Sequence, residues 1–177
     1  MRAESGGAGQ GRSVDRPLIA SYSYSGHTHR AAQALQGLTG SDWCEIYPRQ
    51  PYPMAFPELL AQVKRELKTG YRPKLLPLSH PPQRYSFIFL GAPNWCGTLP
   101  PPVSAWLRQH DLSGKQILPF YSHCGGVPCD MRRDIQKLCP KAEVGEALGI
   151  LDAEEDTLPE LLSRWLARMG LAVALKF

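Results

Sequence analysis

No apolar stretch in this chain approaches the ~20 consecutive residues that a membrane-crossing helix needs, so no membrane partner is expected. Residues 1–16 contain arginine, glycine and serine but no apolar centre, and they read neither as a secretory signal nor as an anchor. We expect 1–16 to be a disordered leader and 17–177 to be one domain. Cysteine occurs five times, at Cys44, Cys96, Cys124, Cys129 and Cys139. The number is odd and no Cys-x-x-Cys pair exists, which argues against a disulfide framework and a zinc ribbon. Free thiols, no metal and a cytoplasmic location are the expectation. Charge is modest, at +4, and the basic residues are scattered rather than set in a block with aromatics. Nucleic acid is therefore not an expected partner.

What is present is a regular alternation. Residues 17–22, 42–47, 85–90, 116–121 and 143–151 have the composition of strands, and 85–90 is a continuous β-prone run suited to burial on both faces. Between them, 28–36, 57–69, 130–138 and 158–169 carry apolar residues at helical spacing. A further helix opens at the prolines near 100, with Val103, Trp106, Leu107 and His110 marking its inner face. Gly37 and Gly40 are expected to end the first helix, and 171–177 to cover an edge. Strands alternating with helices predict an α/β protein whose parallel sheet is covered on both faces. In such sheets ligands sit at the carboxyl ends of the strands, where the strand order reverses. The Gly-, Ser- and Asn-rich loops of this chain follow the first, third and fourth strands.

The first of those loops contains Ser23, Tyr24, Ser25, Gly26, His27 and Thr28 and opens a helix. Unpaired N–H groups and the helix dipole suit that position to phosphate, with Ser23, Ser25 and Thr28 as hydroxyl donors and His27 as a further donor. The alternative is a plain helix cap. It has no lysine, so it is not a nucleoside-triphosphate loop, and no Gly-x-Gly-x-x-Gly, so it is not a dinucleotide fingerprint. In the second loop, Pro93, Asn94, Trp95, Cys96, Gly97 and Thr98, the Trp95 ring is either a stacking surface for a flat ligand or a core residue. The third loop holds Ser122, His123, Cys124, Gly125 and Gly126. Cys124 and Cys129 lie near a helix start, where a thiol can be activated, so a dithiol competes with inert small residues there.

These loops carry a resemblance. The first resembles the phosphate loop Ser/Thr-x-Ser/Thr-Gly-Asn-Thr of the flavodoxin-like family of flavin mononucleotide (FMN) proteins, with His27 in place of asparagine. The second is similar to Pro-x-Trp-x-Gly-Thr-x-Pro-Pro of one branch of that family. The third is similar to its Thr-His-Gly-Gly, with Cys124 in place of a glycine. Tyr52-Pro53, Glu66 and Tyr71-Arg72-Pro73 also resemble that branch, and the likeness runs over 17–170. It implies a flavodoxin-like three-layer sandwich on a five-stranded parallel sheet of order 2-1-3-4-5, with FMN as cofactor. In that order the loops after the first, third and fourth strands should meet at one site, with the phosphate on the first loop and the flavin ring against the second and third.

The third loop has no aromatic residue between His123 and Cys129, and the chain is basic where electron-carrying flavodoxins are acidic. Both favour an NAD(P)H- or quinone-type oxidoreductase. A one-electron carrier docking on protein partners, or a flavin-free binding module, are the alternatives. No catalytic residue is assigned.

Overall fold

The apolar run at 85–90 sits at the centre of the sheet, and its alternation decides where the two cores lie. The computed structural model describes residues 16–171; the expected leader, save Arg16, and the tail, save Leu171, fall outside them. The elements are β1 (Leu18–Ser21), α1 (His27–Thr39), β2 (Asp42–Glu45), α2 (Phe56–Thr69), β3 (Phe87–Pro93), α3 (Pro101–Gln109), β4 (Gln116–His123), α4 (Met131–Leu138), β5 (Glu143–Val144), β6 (Leu148–Leu151) and α5 (Leu158–Arg168). Every pairing between these strands is parallel, in the order β2-β1-β3-β4-β5, with β6 also on β4.

Successive strand residues point to opposite faces. Leu18, Ala20, Ile88 and Leu90 therefore enter one core, with Leu59 and Val63 of α2, Val103 and Trp106 of α3 and Ile135 of α4. Ile19, Phe89 and Phe120 enter the other, with Ala31 and Leu35 of α1 and Leu162, Trp165 and Leu166 of α5. Helices thus cover both faces, as a buried parallel sheet requires. Each fully buried large apolar side chain contributes roughly 1.5–3 kcal/mol relative to exposure.

Two details depart from the sequence reading. The expected strand at 143–151 is two short strands, β5 and β6, both lying along the same edge of β4. At the break, the Glu146 carbonyl leaves the ladder to accept a hydrogen bond from Trp165 Nε1 at 3.2 Å. Anchoring the buried indole of α5 satisfies the indole N–H and interrupts the pairing. The first helix also runs through Gly37 and ends only at Gly40. There φ is 65° and the N–H returns to the Gln36 carbonyl at 2.8 Å. A left-handed residue ends a helix; Gly37, which has no such φ, merely weakens it.

Candidate functional site

The three loops meet at the carboxyl end of the sheet because register brings them there. β1, β3 and β4 are neighbours, with Ser21 opposite Gly91 and Pro93 opposite Ser122. Beyond the strands, polar groups join the loops. Thr28 Oγ1 and Ser122 Oγ are 2.9 Å apart, and both residues are buried. The Asn94 N–H donates to the Ser122 carbonyl at 2.9 Å, and Asn94 Nδ2 to the Val127 carbonyl at 2.7 Å.

In the first loop, Gly26 has φ 97° and lies at the N-cap of α1, a conformation that a side chain disfavours. Ser23 Oγ accepts from the N–H groups of Gly26 and His29, at 3.2 and 3.1 Å. This is the capping role, made by a residue three before the cap. Ser25 is exposed and Thr28 is buried. No acidic residue lies in the first turn of α1, so the dipole there is not offset by a carboxylate of its own helix.

The His27 imidazole lies between Arg30 of α1 and Asp152, just after β6. Its Nδ1 is 2.8 Å from Arg30 Nη2, and its Nε2 is 3.8 Å from Asp152 Oδ2. Because a guanidinium only donates, Nδ1 accepts, and the neutral ring carries its proton on Nε2. The Arg30 guanidinium reaches back over the loop, 3.3 Å from where a Cβ on Gly26 would stand.

The second loop closes on itself. Trp95 and Thr98 exchange both backbone hydrogen bonds, at 3.2 and 3.1 Å, around a two-residue turn. Its central residues, Cys96 and Gly97, have φ 54° and 81°, the double positive φ of a type I′ turn. Asn94 Oδ1 accepts from the Gly97 N–H at 2.9 Å, and Thr98 Oγ1 donates to Asp134 Oδ2 of α4 at 2.7 Å. Trp95 is half-buried in an aromatic cluster. Its ring meets Tyr22, Tyr24 and Tyr52 edge-on, with centroids 5.4, 5.7 and 5.0 Å away. Tyr24 is fixed in turn by donating to the Pro53 carbonyl at 2.6 Å.

A cleft of about 290 Å³ opens between the second and third loops and α2. Asn94, Trp95, Cys96, Gly97, His123, Cys124 and Gly126 line it from the two loops, with Val127 beside them. Gly125 turns into an adjoining hollow that shares Asn94, His123 and Gly126. His123 Nδ1 accepts from the Gly125 N–H at 3.1 Å, which fixes this ring too as the Nε2–H form when neutral. The lining of the cleft is of a kind that suits a flat and largely apolar ring, and the α1 terminus is of a kind that suits an anion.

Several residues of this site were not among those expected. Phe56, Leu59, Leu60 and Val63 of α2 form the cleft's far wall. The helical spacing of Leu59, Leu60 and Val63 was visible, while Phe56 fell outside the helix expected over 57–69. Spacing alone reads as core and does not reveal that the first turns overhang a cavity. Tyr52 and Glu66 lie behind Trp95. Tyr52 donates to Glu66 Oε2 at 2.6 Å, and Gln62 Nε2 to Glu66 Oε1 at 2.8 Å. Burial and the neighbouring carboxylate push the Tyr52 phenol well above the usual tyrosine range, and burial does the same to Tyr22. Of this set, Tyr52 and Glu66 were legible only through the family resemblance.

The family model described as Flavodoxin matches residues 16–169. The chain belongs to the flavodoxin family. No curated protein sequence matches it significantly. Among solved flavodoxin-like structures, a protein from Bacteroides eggerthii DSM 20697, provisionally described as a flavoprotein, is 24% identical with TM-score 0.77; the match covers 89% of this chain and 99% of that one. A flavoprotein from Lactobacillus acidophilus NCFM, solved in complex with FMN, is 18% identical with TM-score 0.67, covering 81% and 98%. Flavodoxin 2 from Bacillus cereus is 22% identical with TM-score 0.54, covering 88% and 97%. At these identities the likeness establishes the flavodoxin fold and leaves the chemistry to the site itself.

Proposed function

We propose that this flavodoxin binds FMN and acts as an FMN-dependent oxidoreductase of the NAD(P)H or quinone type. The observation that carries the reading is the meeting of the three loops at the carboxyl end of the sheet: the second and third line an apolar cleft with α2, and the first, joined to them through the contacts of Thr28 with Ser122 and of Tyr24 with Trp95, opens a helix N-terminus free of first-turn carboxylates. That combination suits a molecule with a flat ring and a dianionic tail. The FMN complex of the Lactobacillus acidophilus protein, which has the same fold, supports the choice of cofactor.

In this reading Ser23, Tyr24, Ser25, Gly26, His27 and Thr28 form the phosphate loop. The backbone N–H groups of the first turn supply the donors, while Ser23 and His27 shape the loop through the hydrogen bonds described above. Pro93, Asn94, Trp95, Cys96, Gly97 and Thr98 hold one side of the ring. Ser122, His123, Cys124, Gly125 and Gly126 hold its polar edge. Bound FMN supplies the redox chemistry, and the protein supplies position and environment.

Two features favour an enzyme over a carrier. The third loop presents Val127, 61% exposed, rather than an aromatic lid, which leaves one wall of the cleft thin. The net charge of +4 does not suit docking on the basic partners of electron carriers. All five cysteines are free, which fits a reducing compartment such as the cytoplasm. Among the described residues, no helix is long and apolar enough to cross a membrane.

The test starts from purified protein mixed with FMN and freed of excess by gel filtration. Retained flavin absorbance is expected, together with oxidation of NADH or NADPH by an added quinone without a partner reductase. Retained flavin with no turnover would give the carrier reading. A colourless protein would remove flavin altogether.

A further inference from the structure

The five thiols fall into two groups. Cys44 and Cys139 are buried, and Cys129 is half-buried against the core of α2, α3 and α4. Burial pushes Cys44 and Cys129 up to about 11, and the carboxylates of Asp134 and Asp130 add to this at Cys129. Such thiols react slowly, because the thiolate is the nucleophile. Cys96 and Cys124 are both exposed, and both line the cleft, one from the second loop and one from the third. The pair that shares a cavity is therefore not the near-neighbour pair of the sequence, Cys124 and Cys129.

Their surroundings allow approach. The two loops are already joined by the bond from Asn94 to the Val127 carbonyl. Gly97 packs close to Val127 and Pro128, since a Cβ there would lie 2.9 Å from Val127 Cγ1 and 3.0 Å from the Pro128 carbonyl oxygen. Cys124 is followed by two glycines with little against them: a Cβ on Gly126 would meet nothing within 4 Å, and one on Gly125 only Leu151, at 3.7 Å. Bridging needs Cα atoms within about 7 Å. Cys96 is held in its type I′ turn, so the approach falls to the segment after β4, where Gly125 and Gly126 leave open space.

We propose that Cys96 and Cys124 are a reactive thiol pair, which a peroxide-class oxidant converts to an intramolecular disulfide across the cleft. One thiolate attacks the peroxide O–O bond, becomes a sulfenic acid and releases water after proton transfer. The second thiolate attacks that sulfur, the S–S bond forms, and a second water leaves. Two thiols are oxidised by two electrons and the peroxide is reduced by two. The bridge ties the second loop to the third and narrows the cleft mouth. The bridge crosses the space where the proposed function sets the flavin ring, so it is a reaction of the chain before FMN is added; its test reads thiols rather than flavin, which keeps its failure distinct from failure of the flavin reading.

The experiment uses the full chain, reduced and then exposed to a small excess of hydrogen peroxide, with alkylation under denaturing conditions and peptide mass spectrometry. Free thiols should drop from five to three, reversibly with dithiothreitol. A tryptic peptide spanning 85–108 should be linked to one spanning 116–132. The second peptide contains both Cys124 and Cys129, so variants separate them. Cys129→Ser should keep the link and Cys124→Ser should abolish it; fragmentation of the wild-type link gives the same assignment should a variant fold poorly. Retention of all five thiols, separate oxidation of single cysteines without a link, or a link that survives Cys124→Ser would overturn the proposal.

Discussion

Glu66 is a carboxylate that 6% exposure has removed from water, and it stays tolerable because Tyr52 and Gln62 donate to its two oxygens. A buried acceptor left without its partner costs about 1–3 kcal/mol, more when charged. Tyr52→Phe should therefore lower stability by roughly that amount near neutral pH, read from urea unfolding. The same pair predicts an alkaline limit. In the unfolded chain tyrosine ionises near pH 10. In the folded chain the phenols of Tyr52 and Tyr22 hold their protons well above that. Deprotonation thus favours the unfolded state. The contribution of these two tyrosines should be level below about pH 10 and fall above it by up to about 1.4 kcal/mol per pH unit for each, on top of the decline that the thiols of Cys44 and Cys129, raised by burial, start at about pH 8.5. Tyr52→Phe should make that fall shallower. An equal slope in wild type and variant between pH 10 and 11.5 would show that Tyr52 plays no part in it.

The sheet sets its own tolerances at Gly91 of β3. Gly91 faces Phe120 of β4 in register, and a Cβ there would stand 2.3 Å from Phe120 Cζ and 2.7 Å from Cε2. Phe120 is fully buried, so its ring has no room to retreat. Gly91→Ala should therefore cost about 1–3 kcal/mol, the usual penalty for overpacking, as a lowered urea midpoint with little change in slope. A neutral Gly91→Ala would mean that the ring relocates without loss. This dependence was invisible in the sequence, where Gly91 reads only as a strand end. More of the element plan was legible. Alternating strand and helix patterns gave the parallel sheet, and the prolines at 101 and 102 marked the start of α3. The meeting of the three loops followed from the strand order that the family resemblance implies. What stayed hidden depends on side chains distant in sequence. Nothing local in 143–151 shows that the Trp165 indole takes the Glu146 carbonyl out of the ladder. Likewise, the apolar spacing of α2 cannot reveal that Phe56 and Leu60 face a cavity rather than packed core.

For the whole molecule, the flavin reading makes a thermodynamic demand that needs no knowledge of substrate. A ligand that binds only the folded chain stabilises it by RT ln(1 + [L]/Kd), about 2.7 kcal/mol at a hundredfold excess over Kd. For a domain of about this size each kcal/mol raises Tm by about 2–4 °C, so saturating FMN should lift Tm by roughly 5–10 °C. Riboflavin carries the same ring without the phosphate, and it isolates the first loop. Should the α1 terminus hold the phosphate, riboflavin at equal concentration will shift Tm much less, and the difference will shrink in Ser23→Ala. Losing Ser23 Oγ leaves the Gly26 and His29 N–H groups without their acceptor and lets the loop open. That change alone should lower the ligand-free Tm by the few degrees expected for a lost cap of about 1 kcal/mol. The informative quantity is therefore the FMN-minus-riboflavin shift in each protein, which cancels the cap's effect on the fold. Equal shifts from the two ligands in the wild type would move the anion away from α1, even with the ring in the cleft. No shift from either would mean that the three loops are held together by their own hydrogen bonds and enclose no flavin.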